Sequence, residues 1–115
     1  MPTLRHATLA RNLPGIIKAG LLTSKSLGKL AAVWVCCRAK TAWAALHTVK
    51  RHGGRIEEVV ILDIDVPRRW LRRSKRGLYY CLRDIPPDRI RGVVTFAALA
   101  RSPVDEAKPL ATAAD

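Results

Sequence analysis

The side chains able to do chemistry fall into three parts of the chain. His6 stands two residues before Thr8 in "LRHAT". Cysteines occur at Cys36, Cys37 and Cys81, and the segment "RRWLRRSKR" holds six positive charges in nine residues. A histidine can act as acid, base, ligand or cofactor contact. A lone histidine on a strand more often bonds a backbone carbonyl, so both interpretations of His6 stay open.

The cysteines form neither a disulfide framework nor a recognisable metal motif. Their number is odd and Cys36 and Cys37 are adjacent, which favours a reducing compartment. A zinc site built from the three cysteines and a histidine is conceivable, but the chain has no C-x-x-C pair, and we predict no metal. Cysteine catalysis needs a base and a lowered pKa, so Cys36 and Cys81 are interpreted as small buried side chains.

Positive charge dominates the composition, with 21 Lys and Arg against 9 Asp and Glu, a net charge of +12. Such an excess favours an anionic partner such as RNA or DNA. We interpret residues 68–76 as a solvated basic loop in which Trp70 could stack on a base. The cations expected to contact phosphates are Arg68, Arg69, Arg72, Arg73, Lys75 and Arg76.

Two carboxylates, Asp63 and Asp65, alternate along "VVILDIDV" and therefore share one side of a strand. Such a pair could serve acid–base chemistry. Because arginines lie close in the sequence, we expect these carboxylates to be exposed or to form ion pairs.

The hydrophobic pattern predicts an α+β fold in which a curved sheet carries two short helices. Residues 13–19 form the first helix, with Asn12 as N-cap and Gly20 after its end. The second helix covers residues 42–52, with Thr41 as its cap and an apolar stripe formed by Ala42, Ala45, Leu46 and Val49. The predicted strands cover residues 3–7, 32–37, 57–67, 77–83 and 91–99.

The length of 115 residues is that of one domain, which we place at residues 1–101. Residues 102–115 are rich in Pro, Ala and charge and are expected to be disordered. The first residues lack the apolar core of a secretory signal, and no run approaches the roughly 20 apolar residues of a membrane span. We therefore expect a cytoplasmic protein that does not enter membranes.

Five segments in order resemble the ADP-ribosyltransferase fold, most closely the catalytic half of the RNA 2′-phosphotransferases. "LRHAT…NLPGIIKAGLL" is similar to that family's strand ending in His-x-Thr, followed by a helix and Gly-Leu. "VWVC" stands where the family has a valine-histidine-leucine-serine strand, and "ALHTVKRHGG" resembles its Ala-rich helix. "VVILDIDV" and "GLYYCL" before "IPPDRI" complete the likeness, which spans residues 4–96.

The resemblance implies a small split, curved sheet with NAD in a cleft between its halves. It implies catalytic roles for His6, Tyr79 and Arg83. The cofactor contacts that it implies, or that could cradle a phosphate, are His6, Thr8, Trp34, Cys36, Arg51 and His52. "VWVC" holds no histidine or serine and "GLYYCLR" no acid, and both differ from the family's pattern.

Three functions follow as hypotheses. The first is NAD-dependent ADP-ribosyl transfer, or a reaction like that of the RNA 2′-phosphotransferases, on a nucleic-acid or phosphate-bearing acceptor. The alternative is a non-catalytic basic module of the same fold that binds RNA or a protein, which the missing acid favours. The third is a toxin or effector fragment that acts on a protein.

Overall fold

The computed structural model describes residues 3–26 and 30–101. Its fold is α+β, a curved, open, antiparallel sheet with packed helices, as the sequence predicts. The strands are β1 (Leu4–Leu9), β2 (Val33–Cys36), β3 (Val59–Ile64), β4 (Leu71–Lys75), β5 (Leu78–Cys81) and β6 (Ile90–Thr95). The helices are α1 (Leu13–Ala19), α2 (Thr41–His52) and α3 (Phe96–Arg101). Residues 102–115, predicted to form a disordered tail, lie outside the described residues.

The six strands form one sheet in the order β4-β5-β2-β1-β3-β6. β1 and β3 pair over six positions, from Leu4↔Ile64 to Leu9↔Val59. β3 has five buried side chains among its six residues, because one core lies on each face of the sheet. Its nearly continuous run of apolar residues follows from that double burial.

The sheet narrows where β1 meets β2, since a single register pair, Arg5↔Cys36, joins these two strands. On one side of this junction lie β4, β5 and β2, and on the other lie β1, β3 and β6. The Arg5 side chain is buried at the junction, with Nε 3.3 Å from Asp63 Oδ1 and Nη1 donating to Thr41 Oγ1 at 3.0 Å. One side chain therefore connects β1 to β3 and to the start of α2.

Different helices pack on the two faces of the sheet. We call the side under α1 the α1 face; its core members include Leu4, Ile16, Val33, Val35, Leu62, Ile64 and Cys81. We call the opposite side the α2 face; its core members are Leu9, Ala45, Val59 and Ile61. The α2 face is covered over β1 and β3, on which α2 packs.

The side of α2 that packs on the sheet matches the predicted apolar stripe only in part, since Ala45 and Val49 join the α2-face core while Ala42 and Leu46 do not. Its buried residues are Thr41, Ala45 and Thr48, whereas Leu46, assigned to the stripe, is 63% exposed. Small side chains let the helix approach the sheet closely, and the Thr48 hydroxyl donates to the Ala44 carbonyl at 2.8 Å. Thr41 is the first helical residue and not the cap, because its hydroxyl donates to the Arg38 carbonyl.

Two further assignments from the sequence are corrected. The basic segment expected to be a loop contains β4, which pairs with β5 as an edge strand. The last predicted strand ends at Thr95, and "FAALAR" forms α3. Thr95 Oγ1 accepts a hydrogen bond from Ala98 N at 3.1 Å, which is the geometry of a helix N-cap. Asn12 occupies the predicted N-cap position of α1, but its side chain donates to Thr8 Oγ1 at 3.1 Å and makes no hydrogen bond to the helix backbone.

Gly20 is the glycine on which the end of α1 depends. Its φ is +87°, and a Cβ there would collide with the Ile85 carbonyl oxygen. Leu21 and Ile85 exchange two backbone hydrogen bonds of 2.8 Å at this point. The contact ties the end of α1 to the segment after β5.

We expect Gly20→Ala to lower the free energy of unfolding by more than about 2 kcal/mol, because the new methyl meets backbone and the φ is strained. Gly15→Ala is the matched control, since a Cβ at Gly15 meets nothing within 4 Å. That change should raise stability by about 0.5–1 kcal/mol, because alanine favours a helix. Urea unfolding of both variants measures the difference, and equal effects would contradict the assignment.

Candidate nucleic-acid interface

His6 lies on the α1 face of β1, at the junction between the two halves of the sheet. Its Nδ1 is 2.6 Å from the backbone carbonyl oxygen of Trp34 in β2. Because a carbonyl can only accept, Nδ1 carries the proton, and Nε2 of the neutral ring is left as an acceptor. The ring is half-buried. The imidazole therefore has a fixed orientation, and it bridges β1 and β2 where backbone pairing is sparse.

Burial lowers the pKa of His6 below its ordinary value of 6.5, and the positive charge of His52 acts in the same direction. The hydrogen bond to Trp34 opposes this effect but is the smaller influence. Neutral His6 therefore dominates at pH 7. A neutral imidazole with a fixed tautomer suits a hydrogen-bonding role better than a permanent positive charge would.

The residues carried over from the ADP-ribosyltransferase resemblance do not share one face of the sheet. His6 and Tyr79 lie on the α1 face, where Tyr79 packs against the core. Trp34 and Cys36 lie on the α2 face, because they alternate with the buried Val33 and Val35. Strand alternation thus separates His6 and Tyr79 from Trp34.

The other carried-over residues occupy separate places. Thr8 is buried, and its hydroxyl accepts a hydrogen bond from Asn12. Arg51 and His52 are exposed at the end of α2. Arg83, expected beside Tyr79, instead extends over the ring of Trp70, with Cζ 3.9 Å from the ring centroid.

The cysteines are isolated from metal-binding partners. Within residues 3–26 and 30–101, no group of three or more His, Cys, Asp or Glu side chains could hold a metal ion. Burial raises the pKa of Cys36 to about 11, with a smaller contribution from neighbouring Cys37, so Cys36 is a protonated thiol at pH 7. A protonated, buried thiol is a poor nucleophile.

The two aspartates on β3 and just beyond it are held by arginines, as the sequence led us to expect. Asp63 pairs with Arg5. Asp65 Oδ2 accepts from Arg91 Nη2 at 3.1 Å and lies 3.9 Å from Arg89 Nη1. These carboxylates neutralise arginines of β1 and of the β6 side of the sheet.

The basic run has a regular arrangement because β4 is an edge strand. Arg72, Arg73 and Lys75 lie on β4, and Arg76 follows in the turn to β5; all four are exposed. Strand alternation directs Arg72 to the α2 face and Arg73 to the α1 face. Among the residues that the structure describes, no carboxylate forms an ion pair with this run. Its charge faces solvent on both sides of the sheet edge.

A shallow hollow of about 320 Å³ opens where β4 begins and β5 ends. Three arginines and two apolar side chains line it: Arg69, Arg72, Arg83, Trp70 and Leu82. The Arg83 guanidinium stacks on the Trp70 ring, and Arg89 lies 5.4 Å from the same ring centroid. The hollow therefore combines a flat aromatic surface with guanidinium groups, which bind phosphate and stack on planar groups.

A second aromatic feature crosses three strands on the α2 face. Trp34 of β2 is opposite Tyr80 of β5, and Tyr80 is opposite Arg72 of β4. The Trp34 and Tyr80 ring centroids are 5.1 Å apart with an interplanar angle of 41°. Trp34 is 44% exposed, since α2 packs on β1 and β3 instead of this half of the sheet. We call Trp34, Tyr80 and Arg72 the cross-strand row.

Sequence reasoning found Trp34 and Arg72 separately but assigned them to different sites, and it gave Tyr80 no role. Alternation along "GLYYCLR" does predict that the Tyr79 and Tyr80 side chains point to opposite faces of the strand. Which strands pair, and in which register, depends on contacts remote in sequence. The row exists because β2, β5 and β4 are neighbours in the sheet.

No protein-family model matches this sequence, and no curated protein is significantly similar to it. In the part of the chain that the structure describes, no helix combines the length and the apolar character needed to cross a bilayer.

The lowered pKa of His6 predicts that stability falls as the pH drops below about 6.5. The unfolded chain, with the ordinary His pKa, takes up the proton more readily than the folded chain does. His6→Asn keeps a donor near the position of Nδ1 and should weaken the loss of unfolding free energy between pH 7.5 and 5.5. Burial, and to a smaller extent the neighbouring Arg51 and Lys50, also lower the pKa of His47, so the comparison is made in a His47→Asn background. Identical pH profiles with and without His6 would contradict the prediction.

Proposed function

We propose that this chain binds nucleic acid through its basic edge strand and the adjoining hollow around Trp70. The observation that carries the proposal is the exposed run of cations on β4, which no carboxylate of the described residues neutralises. A polyanion supplies the missing negative charge, and release of its counterions drives the association.

Protection of the sheet edge is the simpler explanation for charges on β4. Charged residues on an edge strand prevent pairing with other chains. One or two lysines are enough for that purpose, whereas residues 68–76 hold six cations. Two arginines of the Trp70 hollow, Arg69 and Arg83, lie outside β4, where they do not shield the edge. The excess of arginine over lysine also favours phosphate recognition, since guanidinium binds phosphate in a bidentate manner.

The hollow limits the size of what it can hold. Its volume of about 320 Å³ is at the lower end of the range of small-molecule pockets, about 300–1,000 Å³. That space suits one nucleotide unit of a longer polymer. Its phosphate would meet Arg69, and its base would stack on the Arg83 guanidinium that covers the Trp70 ring.

Neutralising β4 is expected to weaken binding and to reduce its salt dependence. A variant with Arg72, Arg73, Lys75 and Arg76 changed to Gln should lose at least about tenfold in affinity. Its slope of log affinity against log salt should fall by up to about 3, because each single-strand phosphate contact contributes about 0.7. Fluorescence anisotropy with a labelled oligonucleotide over a salt series measures both quantities.

The control variant removes the same charge elsewhere, by changing Lys18, Lys25, Lys50 and Arg101 to Gln. These residues are exposed and lie on α1, in the turn at residues 23–25, on α2 and on α3, so none belongs to β4 or lines the Trp70 hollow. It should keep most of the affinity and slope. If the two variants lose equal affinity, binding follows net charge alone and the proposed interface is wrong.

NAD-dependent transfer is the second candidate function, and the geometry of His6 favours it. The imidazole is neutral, fixed in orientation and half-exposed at the junction of the two halves of the sheet. The cofactor contacts implied by the ADP-ribosyltransferase resemblance cannot all touch one NAD molecule, since Trp34 and Cys36 lie on the α2 face and His6 lies on the α1 face. The proposal is therefore restricted to a cofactor contact on the α1 face near His6 and Tyr79, and no reaction step is derived from it.

Titration with NAD tests the second candidate directly. We expect NAD to change the amide chemical shifts of His6 and of neighbouring residues in β1 and β2. The His6→Ala variant should lose these changes while its NMR spectrum remains that of a folded protein. Nicotinamide release in the presence of RNA or DNA measures transfer. Absence of both shifts and release at saturating NAD would exclude this candidate and leave the nucleic-acid proposal intact.

A further inference from the structure

We infer that the nucleic acid is single-stranded and that its unpaired bases stack on Trp34 and Tyr80 of the cross-strand row. This inference rests on the proposed function and specifies its ligand. The proposed function requires only cations at the sheet edge. The inference adds an aromatic surface on the α2 face that a duplex cannot use.

The row has the form of a stacking surface. Trp34 and Tyr80 are direct cross-strand neighbours with centroids 5.1 Å apart. Aromatic pairs of this kind stabilise a sheet, but that role does not require an exposed ring. Trp34 leaves 44% of its surface in contact with solvent, at an energetic cost that a bound base would remove. Base–aromatic stacking accepts any base, since every base has two flat faces.

The charges lie where the backbone of a bound strand would run. Arg72 is the next member of the row after Tyr80, one strand spacing of about 4.8 Å away. Arg72 also lines the Trp70 hollow. The row and the hollow therefore share Arg72, which places a guanidinium group on β4 next to the rings on β2 and β5. A strand crossing the row would place bases on Trp34 and Tyr80 and phosphates along β4.

Duplex nucleic acid does not match this surface. Its bases are stacked on one another, so only their edges are accessible in the grooves. Groove recognition uses a protruding helix or ribbon, whereas the row is part of a sheet face. A-form RNA helices are recognised through shape, 2′-hydroxyls and phosphates. The geometry thus favours a single strand, and acidic proteins or anionic membranes become outcomes of the test.

The experiment compares two tryptophans of similar exposure. Trp34→Ala and Trp43→Ala each remove an exposed ring, since Trp43 is 49% exposed and stacks on His47 of α2. Binding is measured by anisotropy with ten-nucleotide uridine and thymidine homopolymers, a ten-base-pair duplex and vesicles containing phosphatidylserine. We expect Trp34→Ala to weaken single-strand binding by about 5- to 100-fold, with Trp43→Ala and duplex binding little changed. Thermal melting checks that each variant is folded.

Tyr80→Leu and Trp34→Phe keep the result interpretable if an alanine variant is unstable. Tyr80→Leu keeps apolar area but removes the ring, so it should weaken single-strand binding. Trp34→Phe keeps a ring and should retain part of that binding.

Equal losses of single-strand affinity from Trp34→Ala and Trp43→Ala overturn the inference. The inference is also overturned if Trp34→Ala weakens binding to the vesicles but leaves binding to single strands unchanged. If the β4 charge variant loses affinity while the ring variants do not, the proposed function survives and the stacking surface is wrong. If the unmodified protein binds neither strands nor duplex, both fail.

Discussion

The buried guanidinium of Arg5 holds together the narrowest part of this fold. β1 and β2 share one register pair, and Arg5 is a member of it. From that position its side chain reaches Asp63 of β3 and Thr41 at the start of α2. Burying a charge is costly unless it is paired and hydrogen-bonded, and here both conditions are met. The position of α2 and the joining of the two halves of the sheet thus depend on one satisfied cation.

The consequences of this junction extend to both candidate sites. Because α2 starts at Thr41, beside Arg5, and packs over β1 and β3, it leaves Trp34 of β2 44% exposed on the α2 face, with Tyr80 of β5 next to it. Because backbone pairing is sparse between β1 and β2, the His6 imidazole meets the Trp34 carbonyl directly. His6 and the Trp34 ring are therefore close along the backbone while their side chains serve opposite faces. The two candidate activities use separate surfaces.

Charge is distributed unevenly over the sheet. The carboxylates of β3 and the residue after it pair with arginines of β1 and of the β6 side. The other edge, β4, keeps its cations unpaired among the described residues. An edge strand with exposed backbone groups favours association with other chains, and like charges oppose it. The same charges attract a polyanion, so edge protection and ligand recognition are compatible in β4.

Local features of this protein follow from the amino-acid sequence alone: the helix over residues 13–19 and its glycine end, the buried strand within "EEVVILDIDV", and the basic character of residues 68–76. These follow from periodicity, composition and turn chemistry, which act over a few residues. Only the tertiary structure decided that the basic run is an edge strand, that α2 buries threonines instead of Leu46, and that Trp34, Tyr80 and Arg72 form a row. Strand pairing, register and helix docking depend on contacts between distant segments, and a pattern read along one segment does not contain them. The orientation of His6 likewise depends on the tertiary structure, because its ring is hydrogen-bonded to the Trp34 carbonyl of β2, 28 residues away in the chain.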